Sequence, residues 1–340
     1  MLGKILLTAV NAVAPIVLLI LFGYWLRRKE FLTEDFLRIG NKFVFRICLS
    51  VLLFINVYSI DGFASISWDI VIFTSVVLCV LFLLGIVTAV ATTPIPERRG
   101  VIAQCVFRSN FSIIGLPLAG ALGGDAAISV AAVVSAFSIP LFNIFAVIVL
   151  SMFVEEPGNK RHSAGHVVLG ILKNPLIIGA ALGMACLGLR ELQRGIFGEV
   201  IFSLSRDLKF VYKCLEYLKA MSTPLGLIVL GGEFKFSAVK GLFKEIAVSS
   251  VWRLVLAPAI GLGSAVLLSS MGLLKAGTNE YASMIALFGT PVAVSSAVMA
   301  GQMGNDEQLA TQLVMWTSIG SVVTIFLQAC ILMAFGLIKV

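Results

Sequence analysis

Apolar residues occur in stretches of about 20 positions, divided by short polar or charged breaks. As a helix, a stretch of that length crosses roughly 30 Å of hydrocarbon. Windows bounded by charge give ten spans, at approximately 8–26, 40–59, 70–91, 100–122, 127–153, 172–189, 213–232, 246–270, 281–303 and 307–337. The seventh is the least apolar, because its upstream half carries Lys209, Lys213, Glu216 and Lys219. That half, together with Arg190–Asp207, reads as a segment lying along the membrane surface. The chain divides into a first five-span unit (1–153), a cytoplasmic linker (154–171) and a second five-span unit (172–340).

The two units share weak internal similarity. Pro15 and Gly23 in span 1 have the same spacing as Pro175 and Gly183 in span 6. Span 4 carries Gly115-Leu116-Pro117 and span 9 carries Gly289-Thr290-Pro291. Gly123-Gly124-Asp125 and Gly304-Asn305-Asp306 each precede the last span of their unit. Five is odd, so the second unit enters the membrane with opposite topology, which makes this an inverted repeat.

The two Gly-x-Pro sequences predict interrupted helices. Proline deletes a backbone hydrogen bond and clashes with the preceding turn, and glycine adds backbone freedom. In lipid such a break persists only where the freed groups face protein, water or ligand. Two breaks near mid-span would leave half-helix N-termini, partly positive, aimed at one point where an anion is held. A pair of structural kinks is the alternative. Nearby polar residues are Ser109, Asn110 and Ser112 in span 4, and Ser295, Ser296 and Gln302 after span 9. An amide such as that of Asn110 bonds a carboxylate without carrying charge; helix packing through small polar residues is the competing role.

Composition agrees with the pattern. Of 340 residues, 59% are hydrophobic and 13% charged, with a mean hydropathy of +1.04; a soluble chain carries about 25% charged residues. Lys4 and Ala12-Val13-Ala14 weakly imitate a leader, but the apolar run continues through Leu26, so a first membrane helix is expected. The net charge of +7 sits in short loops, which argues against nucleic acid. Arg27, Arg28, Lys29 and Arg38, then Arg98 and Arg99, then Lys160, Arg161 and Lys173 mark the odd-numbered connections as cytoplasmic. Both termini then lie outside, in a multi-pass protein of the cell membrane, with a bacterial inner membrane expected from the compact central linker.

Other charged residues and several absences narrow the chemistry. Arg38, Lys42 and Arg46 share one helix face; Arg46 either attracts an anion or snorkels to headgroups. Arg108 has the same two readings, and Arg253, close before Pro258, is a partner for backbone carbonyls or a loop carboxylate. No Asp or Glu falls in the middle of a confident span, which counts against a membrane carboxylate for proton or sodium exchange. The two histidines, His162 and His166, lie in the linker, and no CxxC or CxxH spacing joins the six cysteines. No phosphate-binding loop of the ATPase type occurs. A cofactor, a metal site and enzymatic catalysis are not expected.

Taken in order, Asn41-Lys42-Phe43-Val44-Phe45, Leu52-Leu53-Phe54, Ser109-Asn110-Phe111, Gly115-Leu116-Pro117-Leu118, Lys173-Asn174-Pro175-Leu176, Pro224-Leu225 and Leu230-Gly231, with Pro291, Ala300 and Gly304-Asn305, resemble the auxin efflux carrier family. The resemblance covers most of the chain. It implies an all-α polytopic fold of ten helices in two inverted repeats, with crossing, broken helices 4 and 9, like bile-acid symporters and sodium–proton antiporters. It also implies a scaffold of spans 1–2 and 6–7, a moving unit of spans 3–5 and 8–10, and a homodimer in the lipid bilayer. Two features depart from the family pattern: Ser50 stands where a proline is usual, and a charged segment precedes span 7.

The expected function is secondary transport of small organic anions, mono- or dicarboxylates, by an elevator-like step. The expected contacts are Asn110, Ser112, Gly115, Leu116, Pro117, Gly289, Thr290, Pro291 and Val292, with Arg46, Ser50 and Arg108 as accessory anion contacts. A cation-coupled symporter of the same fold and a ligand sensor without transport are the alternatives.

Overall fold

The computed structural model describes residues 2–59, 68–154, 175–235 and 237–338, so the linker beyond Val154 lies outside the described residues. The fold is all-helical, with about 85% of residues in helix. In chain order the helices are α1 (Leu2–Arg28), α2 (Glu34–Tyr58), α3 (Trp68–Thr92), α4 (Pro96–Phe107), α5 (Leu116–Met152), α6 (Pro175–Phe197), the short α7 (Leu204–Asp207), α8 (Lys209–Glu233), α9 (Ala238–Ser270), α10 (Thr278–Phe288), α11 (Ser295–Gln302) and α12 (Glu307–Ala334). Six apolar stretches among the described residues are long enough to cross a membrane: α2, α3, Ile113–Met152, α6, α9 and α12. The expected spans 4 and 9 are each in pieces, and α8 carries the four charges noted above.

Local chemistry sets the helix ends. The Thr33 hydroxyl accepts from the Phe36 N–H at 3.2 Å, and Glu34 and Asp35 occupy the positive first turn of α2. Asp306 accepts from the Leu309 N–H at 2.9 Å in the same way at α12. Gly124 (φ 67°) bends the apolar run within α5, and Gly304 (φ 71°) turns the chain into α12; both need a residue that tolerates left-handed backbone. Three wide turns, at Val44–Cys48, Phe111–Gly115 and Trp252–Leu256, interrupt regular helix pitch. Such turns rotate the helix faces on either side of them.

Helices in lipid gain little from apolar burial alone, so close backbone approach carries much of the packing. Two helix pairs show this. In α1 against α8, Gly23 lies under the Ile228 carbonyl and Gly231 under the Ile20 carbonyl. In α2 against α6, Gly179 and Gly183 lie under the carbonyls of Ser50 and Phe54. A side chain at any of the four would enter its neighbour's backbone. The second group of helices packs around α5 and α10, with α3 on α4.

Two expectations are corrected. The first break does not fall at Gly115-Leu116-Pro117: helix stops earlier, at Phe107, and resumes at Phe111. Pro117 follows the wide turn Phe111–Gly115, at the second position of α5, and it is exposed. Nor is Lys209–Lys219 a separate element, because α8 is continuous from Lys209 to Glu233 with Pro224 inside it.

The glycine contacts predict opposite responses to one extra methyl group. Gly231→Ala should destabilise the protein by about 1–3 kcal/mol through overpacking. Gly188→Ala, at a position with open space around it, should be neutral or stabilising by about 0.5–1 kcal/mol. Thermal unfolding of the purified protein in detergent measures both.

Candidate functional site

The site is built where two interrupted helices cross. After α4, Arg108 is extended (φ −88°, ψ 114°) and Asn110 is non-helical. After α10, residues 289–294 separate Phe288 from α11. Ser109 and Val292 face each other as a single antiparallel bridge, and the Asn110 N–H donates to the Pro291 carbonyl at 2.8 Å. The Asn110 carbonyl accepts from the Ile114 N–H at 3.0 Å. The Thr290 hydroxyl donates to the Ala286 carbonyl at 3.0 Å, and the Val292 N–H donates to the Thr317 hydroxyl at 3.2 Å. Each bond satisfies a backbone group that a continuous helix would have paired internally.

The C-terminal ends of the two first halves converge on one side chain. Arg253, on the wide turn of α9 and fully buried, donates through Nη1 to the Val106 carbonyl at 3.1 Å and through Nη2 to the Phe288 carbonyl. These carbonyls belong to the last turns of α4 and α10, the negative ends of their dipoles. One guanidinium therefore clamps both ends and balances both dipoles. Gln104 adds a link from α4 to α11, donating to the Ser296 carbonyl at 3.1 Å.

On the other side of the crossing is a cavity of about 50 Å³, bordered by the starts of the second halves at Asn110, Ile113, Val294 and Ser295. That is space for about three to five waters at roughly 10–15 Å³ each. Arg108 reaches into its wall, donating through Nη2 to Asn143 Oδ1 and Ser295 Oγ, both at 2.8 Å, and through Nη1 toward the Met299 sulfur. Arg108 is 3% exposed, and no carboxylate pairs with it among the described residues. Asn110 is 2% exposed, and its Nδ2 has no hydrogen-bond acceptor. The Ser109 hydroxyl is also buried without a partner. Buried cation and open donors together make an electropositive, anion-accepting wall.

The other expected contacts are placed differently. Gly289, Thr290, Pro291 and Val292 are buried in the crossing itself and hold it together. Gly115 packs against the Phe111 ring and the Ala286 carbonyl, and Leu116 is half-buried at the start of α5. Arg46 is exposed, and Ser50 lies against α6 rather than on the cavity. The Ser112 side chain lies outside the described residues. Asn143, Ser222 and Thr223 also line the cavity and were not foreseen as contacts. Their signal was present: each is a polar residue within three positions of a proline, Pro140 or Pro224, in an apolar stretch.

A family model described as "membrane transport protein" matches residues 8–328. An uncharacterized transporter of Methanocaldococcus jannaschii is 25% identical over 274 residues, covering 78% of this chain and 82% of the relative.

Arg253→Met should remove the clamp and strand two buried carbonyls, costing about 1–3 kcal/mol for each. The expected result is a large drop in the thermal midpoint, only partly recovered in Arg253→Lys, whose single ammonium cannot span both carbonyls in the same planar geometry. Equal midpoints for the wild type and Arg253→Met would contradict the clamp.

Proposed function

We propose that this chain, which belongs to the auxin efflux carrier family of membrane transport proteins, carries small organic anions of the mono- or dicarboxylate class across a cell membrane. The observation that carries this reading is the pairing of buried Arg108, free of any carboxylate among the described residues, with the open amide of Asn110 on one cavity wall. A ligand carboxylate supplies what both lack: charge for the guanidinium and an acceptor for the amide. The half-helix starts at Asn110 and Ser295 add partial positive charge at the same point.

The proposed architecture is ten spans in two inverted five-helix repeats, counting α4 with the start of α5 as span 4 and α10 with α11 as span 9. Support comes from matched details: Gly23 and Gly183 close equivalent helix pairs, and Gly124 and Gly304 make equivalent left-handed turns. The scaffold is α1, α2, α6 and α8, through which two copies pair as a homodimer; α3–α5 and α9–α12 form the moving unit. The cavity lies at the boundary, with Leu52, Leu53, Leu176 and Ser222 from the scaffold side and Arg108, Asn110, Asn143 and Ser295 from the other. An elevator-like displacement of one group along the other exposes it alternately to each side. Arginine-rich connections place the cytoplasm at the α1–α2 end, with both termini outside. Arg253 already balances the dipole ends at the crossing, so no bound metal cation is required there.

The test is flux into liposomes holding purified protein, with labelled mono- and dicarboxylates under imposed gradients of potential and pH. The wild type should move a carboxylate, Arg108→Gln should fall to background, and Asn110→Ala should weaken apparent affinity about tenfold, the effect of roughly 1.4 kcal/mol. Absence of carboxylate flux under every gradient would sink the reading. Unchanged flux in Arg108→Gln would remove the site assignment.

A further inference from the structure

A second polar cluster lies away from the crossing, where α8 ends and α12 begins. Glu233, the last residue of α8, brings its carboxyl within hydrogen-bonding reach of the Glu307 carboxyl in the first turn of α12. Asn41 of α2, 3% exposed, donates through Nδ2 to Glu307 Oε1, and Gln308 Nε2 donates to the Glu233 backbone carbonyl at 2.7 Å. Gly301 of α11 leaves the space in which the Glu307 carboxylate sits.

Four oxygens meet here with too few protons between them. Glu233 Oε2, Asn41 Oδ1 and Gln308 Oε1 are buried and have no donor, while Glu307 has one donor, Asn41. Two carboxylates cannot hydrogen-bond each other, because neither can donate. Facing cations do not resolve this. Arg27 of α1 pairs with Glu34 at 2.8 Å, Arg38 of α2 with Asp35 at 2.7 Å, and Arg98 of α4 with Glu245 and with Asp306, the residue before Glu307. Lys235 is exposed, and among the described residues it forms no ion pair with either glutamate. α11 presents no charged side chain.

We infer that Glu233 and Glu307 share a single proton, which makes the contact between α8 and α12 a proton-dependent one. With that proton the pair is a hydrogen bond carrying one negative charge; without it, two half-buried carboxylates repel. Burial and the facing Glu307 carboxylate both raise the Glu233 carboxyl far above the ordinary range. The proton has a route, since a cavity of about 240 Å³ opens beside the pair and is lined by Arg27, Glu34, Arg38 and Lys235. That α8 belongs to the fixed group and α12 to the moving one rests on the proposed function. On that reading, losing the proton loosens the two groups and makes transport sensitive to pH on the side of this cluster.

The sign is set by linkage. A carboxyl whose pKa is higher folded than unfolded contributes stability in full below its unfolded value and loses it as pH rises through the folded value. The wild-type thermal midpoint should therefore fall by a few degrees as the pH is raised from the ordinary carboxylate range into the alkaline range. Glu233→Gln, which mimics the protonated partner, should flatten that dependence, and Glu307→Gln is the second variant should the first fail to fold. The wild type at neutral pH should also show the infrared band of a protonated carboxyl, a readout that needs no variant. A midpoint in Glu233→Gln or Glu307→Gln with the wild-type pH slope, or no protonated-carboxyl band, overturns the inference. So does an alkaline midpoint restored by sodium but not by choline at equal ionic strength, which would put a metal cation in the proton's place. None of these readouts requires flux, so a failed transport assay leaves this inference separately decided.

Discussion

The whole arrangement depends on one requirement: backbone groups freed by an interrupted helix inside an apolar body must find partners. Here they find them in two ways. The extended residues on either side pair with each other through Ser109–Val292 and Asn110–Pro291. The loose carbonyl ends are gathered by Arg253. Neither device works without the other, since the bridge sets the separation at which one guanidinium can span both carbonyls. The breaks thus become a rigid cross rather than two hinges, and the residues it carries are held in fixed positions.

Charge follows from the same cross. Its carbonyl ends point at a built-in cation, so the opposite face is left with the positive helix starts, Arg108 and Asn110. A buried arginine bonded only to neutral oxygens and sulfur is an incomplete arrangement, because hydrogen bonds satisfy its donors but not its charge. On the proposed reading, this favours an anion over a cation at the cavity more strongly than the lack of mid-span carboxylates does.

Much of this was legible in the chain because lipid enforces simple rules. Apolar length marked membrane helices, and proline with glycine marked Gly289–Pro291 as a break. Pro117 misled because the break is made earlier, at Arg108–Asn110, and the proline follows the wide turn Phe111–Gly115, where the hydrogen-bond pattern is already irregular. No residue in Arg108-Ser109-Asn110 is a helix breaker, so the interruption is imposed by the partner strand rather than by local preference. Asn143 comes from α5 and Ser222 and Thr223 from α8, and only packing reveals that the two helices meet at the cavity. The Glu233–Glu307 pair was hidden for a similar reason, since each glutamate stands at a helix end where a solvated carboxylate is ordinary. The close approach of α8 to α12, not the sequence position of either residue, partly buries them.

The small size of the cavity bears on mechanism. About 50 Å³ accommodates a few waters, whereas a dicarboxylate needs more room than that. Its wall comes from two groups of helices, with the charged and amide side chains on one and mostly apolar residues with Ser222 and Thr223 on the other. Enlarging it by bending the cross would break the bonds that hold Arg253, Asn110 and Pro291, so local opening is costly. Sliding the apolar wall past an intact cross breaks no such bonds, because the hydroxyls of Ser222 and the other scaffold residues do not bond to it. On the proposed reading, displacement of whole groups therefore asks for less free energy than deformation of the site, and the proton between Glu233 and Glu307 is one of the contacts that such a displacement must release.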